Sequence, residues 1–214
     1  MKKIMINREE QLKTIIKQML TPLKNIPLDI IIESICGHTI FAYDGYAKKK
    51  IIQIVDSSGL SINKKGIRSK RPNEIGNYCE PFVISAIHKL GYIANTPQTI
   101  SGKKRSAGYP DIEALIENKP FYIEIKSYDL TTKSSSLRSF YLSPSRDFKV
   151  TKDAYHLIFA YEMKQVKTGL FKTSRCTVLD ARNLLCDVKY EFNSDNKRMY
   201  EESHNLFIFE RIFD

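Results

Sequence analysis

Residues 109–127 read Y-P-D-I-E-A-L-I-E-N-K-P-F-Y-I-E-I-K-S, and their charges fall where a buried strand would carry apolar side chains. Side chains alternate between the faces of a strand, so Phe121, Ile123 and Ile125 share one face while Tyr122, Glu124 and Lys126 share the other. Upstream, the same alternation separates Asp111 and Glu113 from Ile112 and Ala114. Two short strands joined by a tight turn would bring Asp111 beside Glu124 and Lys126. Two carboxylates and an ammonium at one spot suit a hard cation and a water molecule. A solvated hairpin is the plain alternative, with Glu124 and Lys126 forming a surface ion pair worth under about 1 kcal/mol.

The chain of 214 residues is long enough to bury a core. It reads as a helical region over 1–60 packed on a core over 61–214. A net charge of +10 and a pI near 9.3 draw it to polyanions, nucleic acid first among them. A genome that favours lysine codons would give the same excess. Cys36, Cys79, Cys176 and Cys186 form no C-x-x-C pair and have no histidine at ligand spacing, so neither a zinc site nor a disulfide framework is expected. With no leader pattern and no apolar run of roughly 20 residues, the sequence implies a cytoplasmic protein.

Helices are expected over 7–20, with Asn7 as N-cap and Leu12, Ile15, Ile16, Met19 and Leu20 in one stripe, then over 28–36 and about 48–56. Residues 57–71 shift to Ser, Gly and Lys and read as a basic loop in which Lys64, Lys65, Arg68, Lys70 and Arg71 could follow a phosphate backbone. Apolar positions from 73 to 90 give a further helix, which carries Glu80 and has Glu74 near its start. A strand over about 92–100 leads to a second basic loop with Lys103, Lys104 and Arg105. Beyond the hairpin, 130–149 is rich in Ser and Thr and contains Lys133, Arg138, Arg146 and Lys149. Residues 154–163 form an apolar run suited to a strand covered on both faces, and 176–179 suggest another. The sum is an α/β chain with helices early and strands in the centre.

Pro110-Asp111 followed, after twelve intervening residues, by Glu124-Ile125-Lys126 resembles the PD-(D/E)xK nuclease motif, and the helix with Glu80 is similar to the acidic helix that often precedes it. The S-P-S-R-D-F-K-V segment, the apolar strand after it and the late K-Y-E-F-N-S stretch are similar to the second halves of type II restriction endonucleases. The resemblance implies a restriction-endonuclease-like core, a mixed sheet flanked by helices. It also implies Mg²⁺-dependent cleavage of double-stranded DNA leaving 5′-phosphates, one or two metal ions per site and, for palindromic targets, a homodimer. Asp111 and Glu124 become metal ligands with the Ile125 carbonyl as a third. Lys126 becomes the catalytic lysine, orienting the attacking water as an ammonium or taking its proton as an amine. Glu80 is the helix acid, a position that Glu74 could also fill, and Glu113 lies on the metal-facing side by alternation.

Phosphate contacts are expected from the two basic loops, and base reading from Lys133, Arg138, Arg146 and residues 101–106. A restriction enzyme would have a DNA methyltransferase as its genetic partner. A repair or junction-resolving nuclease of the same fold, or a DNA-binding protein without catalysis, would share much of this pattern. His38, His88, His156 and His204 share no ligand spacing, and no glycine-rich phosphate loop is present.

Overall fold

The protein is described from a computed structural model over residues 8–70, 75–105, 108–129, 140–190 and 211. It divides into two compact units, Ile26–Cys186 and a unit formed by Met1–Asn25 with Asp187–Asp214. In the second of these, α1 (Arg8–Gln18) carries Lys13 paired with Glu9 at 2.7 Å and with Glu10 at 3.1 Å. Its expected apolar stripe is exposed at Leu12, Ile15 and Ile16. Asn7, the expected cap, lies outside the described residues.

The larger unit is built on a six-stranded mixed sheet of order β2-β7-β6-β5-β4-β3. Its strands are β2 (Ile67–Arg68), β3 (Ile93–Asn95), β4 (Ile112–Ile116), β5 (Lys119–Tyr128), β6 (Tyr155–Lys167) and β7 (Leu170–Asp180). Only β5 and β6 pair in parallel, with Glu124 opposite Ile158 and Lys126 opposite Ala160. A separate ribbon joins β1 (Ile26–Pro27) to β8 (Leu185–Cys186). The mixed sheet flanked by helices is the fold class expected from the sequence.

β4 and β5 form the expected hairpin, with Ile112 opposite Ile123 and Ile116 opposite Lys119. Its two turn residues, Glu117 and Asn118, have φ of 49° and 66°. Positive φ at both central positions matches the twist of the flanking strands, and asparagine tolerates that region well. The alternation of β5 divides the core in two. Phe121, Ile123 and Ile125 join one cluster with residues of α3 (Lys48–Lys65) and α4 (Ile75–Lys89), while Tyr122 joins another with Leu28 and Ile32 of α2 (Leu28–Cys36), Tyr109, Val150 and Ile158. β6 is buried from Tyr155 to Phe159 and again from Tyr161 to Met163, as its apolar run requires, and then extends into solvent to Lys167.

α3 departs from expectation. The helix was expected to stop near residue 56, yet it continues through Ser57, Ser58 and Gly59 to Lys65. Ile51, Ile54, Ser58 and Ile62 form a buried stripe at helical spacing. Packing of that stripe outweighs the loop-like composition, and Ser58 satisfies its hydroxyl by bonding the Val55 carbonyl at 2.9 Å and the Tyr161 hydroxyl at 2.7 Å. The basic loop is therefore the end of a helix followed by β2. Residue 60, where the helical region was expected to end, lies inside α3.

Candidate active site

The hairpin leaves β5 longer than β4. Past Ile123, β5 has no β4 partner, and Asp111 occupies the gap. The Ile125 N–H donates to Asp111 Oδ2 at 2.7 Å. A strand residue presents its N–H and C=O to the same edge, so the Ile125 carbonyl faces the edge where Asp111 stands. On the Tyr122 face of β5, Glu124 is 5 % exposed, and its Oε1 lies 2.7 Å from Lys126 Nζ. Glu124 Oε2 is buried without a hydrogen-bond partner. The Lys126 ammonium also sits 5.8 Å from the centre of the Phe140 ring.

α4 supplies the third acid. Gly76 lies so close to β5 that a Cβ there would stand 3.5 Å from Ser127 Oγ and 3.8 Å from the Ile125 carbonyl oxygen. Residues four apart share a helix face, so the face that touches β5 at Gly76 is the one that carries Glu80. Burial pushes the half-buried Glu80 carboxyl up to about 7, with Asp111 and Glu124 adding to the rise and Lys149 and Lys126 opposing it. Asp111 and Glu124 are tightly coupled, and both are raised, chiefly by burial. The Ile125 N–H and Lys126 restrain Asp111, while repulsion from Asp111 raises Glu124 further. Glu80 is thus within electrostatic reach of the Asp111–Glu124 pair.

The site also contains a lysine not anticipated among the candidate site residues. Lys149 is 4 % exposed and donates to the carbonyls of Gly108 at 2.6 Å and Pro110 at 3.1 Å, the residues on either side of Tyr109. Burial lowers its proton affinity, and Asp111, Glu124 and Glu80 pull it back up. The signal in sequence was a lysine held between Phe148 and Val150. Tyr109 is fixed from the other side, its hydroxyl sharing a 2.6 Å hydrogen bond with Nδ1 of the buried His156.

Glu113 lies on the same strand face but forms an ion pair with Lys152. Lys64, Lys65, Arg68 and Lys70 are exposed around the end of α3 and β2. Lys65, Arg68, Tyr78, Pro81 and Phe82 line a groove of about 430 Å³. Pro81 and Phe82 directly follow Glu80, so this basic end adjoins the acidic turn of α4. Lys103, Lys104 and Arg146 are exposed, whereas Arg105 pairs with Asp147 at 3.2 Å. Arg71, Glu74, Lys133 and Arg138 lie outside the described residues.

The donor set suits Mg²⁺, which takes one or two carboxylates and keeps its other positions for water and phosphate. Glu124 Oε2 is a buried oxygen lacking a donor, and no group of three or more His, Cys, Asp or Glu ligands gathers among the described residues. None of the four cysteines forms a disulfide.

Comparison with known proteins gives two matches. The family described as "Type II restriction enzyme MjaV family" matches residues 22–203. A protein of Methanocaldococcus jannaschii named "Type II restriction enzyme MjaV" is 32 % identical over 224 residues, covering 94 % of this chain and 96 % of the relative.

Proposed function

The chain belongs to the MjaV family of type II restriction enzymes and is a site-specific deoxyribonuclease; we propose that it works as a PD-(D/E)xK endonuclease built on Asp111, Glu124 and Lys126. The observation that carries this reading is the pair of carboxylates at the open end of the hairpin, half-buried Asp111 held by the Ile125 N–H and buried Glu124 with an unpartnered oxygen and a lysine against its other oxygen. A site charged this way is stabilised by a divalent cation and disfavours an empty state.

In this reading Asp111, Glu124 and the Ile125 carbonyl hold Mg²⁺. The bound ion supplies an acidified water and offsets charge on the phosphate. Asp111 is pinned to the β5 main chain through the Ile125 N–H, so the ligand set is ordered before metal arrives. Lys126 stands 2.7 Å from Glu124 and directs its remaining protons to the attacking water or to a phosphate oxygen. Glu80 is an outer acid able to hold a water beside this pair or accept its proton. Hydrolysis leaves a 5′-phosphate and a 3′-hydroxyl.

DNA is held through Lys64, Lys65, Arg68, Lys70 and Arg71 at the end of α3 and beyond it, and through Lys103 and Lys104 in the loop before Asp111. Arg105, bound to Asp147, orders that loop as well as adding charge. Lys133, Arg138 and Arg146 are the candidates for base contacts. A palindromic target would be met by a homodimer, in the cytoplasm, beside a methyltransferase that protects host DNA. Among the described residues no helix is long and apolar enough to cross a membrane.

Plasmid DNA incubated with the enzyme and Mg²⁺ should give discrete bands with 5′-phosphate ends, lost in EDTA and in Asp111→Ala or Lys126→Ala. A smear of fragments, or full cleavage by Asp111→Ala, would contradict the reading.

A further inference from the structure

Lys149 has a place in the cleavage site that its ordinary description as a surface-type residue would not give it. A desolvated ammonium costs several kcal/mol unless hydrogen bonds and opposing charge compensate it. Here two main-chain carbonyls accept hydrogen bonds from it, and those carbonyls belong to Gly108 and Pro110, the latter directly before Asp111. The opposing charge comes from Asp111, Glu124 and Glu80, all of which act on its proton.

The backbone that carries Lys149 is tied at each step. Asp147 accepts the Ser101 N–H at 3.1 Å and pairs with Arg105. The Phe148 carbonyl accepts the Ile100 N–H at 2.9 Å. Val150 is buried, and the Thr151 N–H donates to the Tyr122 hydroxyl of β5 at 3.0 Å. This strip spans from the 99–105 loop to β5 and aims one ammonium at the segment that delivers Asp111. The Tyr109–His156 bond holds the same segment at its middle residue. Lys149 thus braces residues 108–110 from one side and the Tyr109–His156 bond from the other.

We propose that Lys149 is a positioning residue of the cleavage reaction, fixing residues 108–110 so that the Asp111 carboxylate stays at the end of β5. The inference rests on Asp111 and Glu124 being the working carboxylates. It gives the site two lysines with separate tasks: Lys126 meets the reacting groups, and Lys149 acts through Asp111. A displacement of about 1 Å in a catalytic group can cost on the order of a hundredfold in rate, which sets the size of effect to look for.

The test compares Lys149→Met, Lys149→Arg and Asp111→Asn in steady-state cleavage of an oligonucleotide duplex with Mg²⁺. Lys149→Met should lose about thirtyfold or more in kcat with KM for DNA within about threefold, the signature of an interaction spent on the transition state. Lys149→Arg should recover most of that loss, because it restores both charge and donors. A kcat for Lys149→Met within threefold of wild type, or equal losses in the Met and Arg variants, would overturn the inference while an inactive Asp111→Asn leaves the site itself standing. An active Asp111→Asn would bring down both. If Lys149→Met does not fold, Lys149→Gln is read in its place: a kcat equal to that of wild type overturns the inference, and a loss that Lys149→Arg recovers supports it.

Discussion

Two glutamates are buried in neighbouring strands of the same sheet, Glu124 at 5 % exposure in β5 and Glu162 at 3 % in β6. Their surroundings are opposite in character. Glu162 accepts the Ser174 hydroxyl and has Lys164 and Arg175 at 3.8 and 3.9 Å. Glu124 has one lysine at its Oε1 but faces Asp111 and Glu80, and both of these acids are raised along with it. Each leaves its Oε2 buried without a hydrogen-bond partner, so what separates the two is the charge around them, which is cationic at Glu162. An acid set among other acids marks a functional site more often than a structural one. Burial alone therefore does not distinguish the two; the sign of the neighbours does.

The largest contrast is expected in cleavage. Glu124→Gln should lower kcat by about a thousandfold or more, since a metal ligand and its charge disappear together. Glu162→Gln should cleave within about threefold of wild type, while losing roughly 1–3 kcal/mol of stability as a buried charge network breaks. Metal-free Glu124→Gln should instead melt higher than wild type. Thermal unfolding in EDTA, run beside the cleavage assay, reads both halves. Equal loss of activity in the two variants would erase the distinction.

A smaller effect is expected in pH dependence. Glu80 and Glu124 hold their protons more tightly in the folded chain than in the unfolded one. The stability they contribute without metal is complete below the ordinary carboxylate range near 4.5 and is lost as pH rises through about 7. His156 works with the opposite sign. Burial pushes it down to about 3, so its contribution is present above 6.5 and falls away as the solution is acidified. The melting temperature of metal-free Glu124→Gln should consequently gain on wild type between pH 5 and 8, the His156 contribution cancelling in the difference.

Much of this arrangement was legible before any coordinates. The hairpin followed from period-two alternation over 112–125, which also places Glu124 and Lys126 on one face, and the Pro110-Asp111 step fixed which acid meets them. Other parts were not readable for physical reasons. The extension of α3 to Lys65 depends on Ile54, Ser58 and Ile62 packing into the core, a tertiary gain that Ser57 to Gly59 conceal in composition. β7 runs from Leu170 to Asp180, well beyond 176–179, because it pairs along β6, and with only Phe171 and Thr173 buried it carries little apolar pattern to mark it in sequence. Lys149 was seen as one basic residue in a Ser-rich stretch. Its partners are main-chain carbonyls 39 and 41 residues away, and carbonyls leave no mark in a sequence.

The central claim, that the crowded carboxylates await a cation, is tested most directly by thermal shift with Ca²⁺, a hard dication that needs no turnover to be read. Binding to the folded state raises its melting temperature by mass action, on the order of 2.7 kcal/mol at a hundred times Kd. Wild type and Glu162→Gln should both rise with millimolar Ca²⁺, and Asp111→Asn and Glu124→Gln should not. An equal rise in all four proteins would place the cation elsewhere and contradict the account.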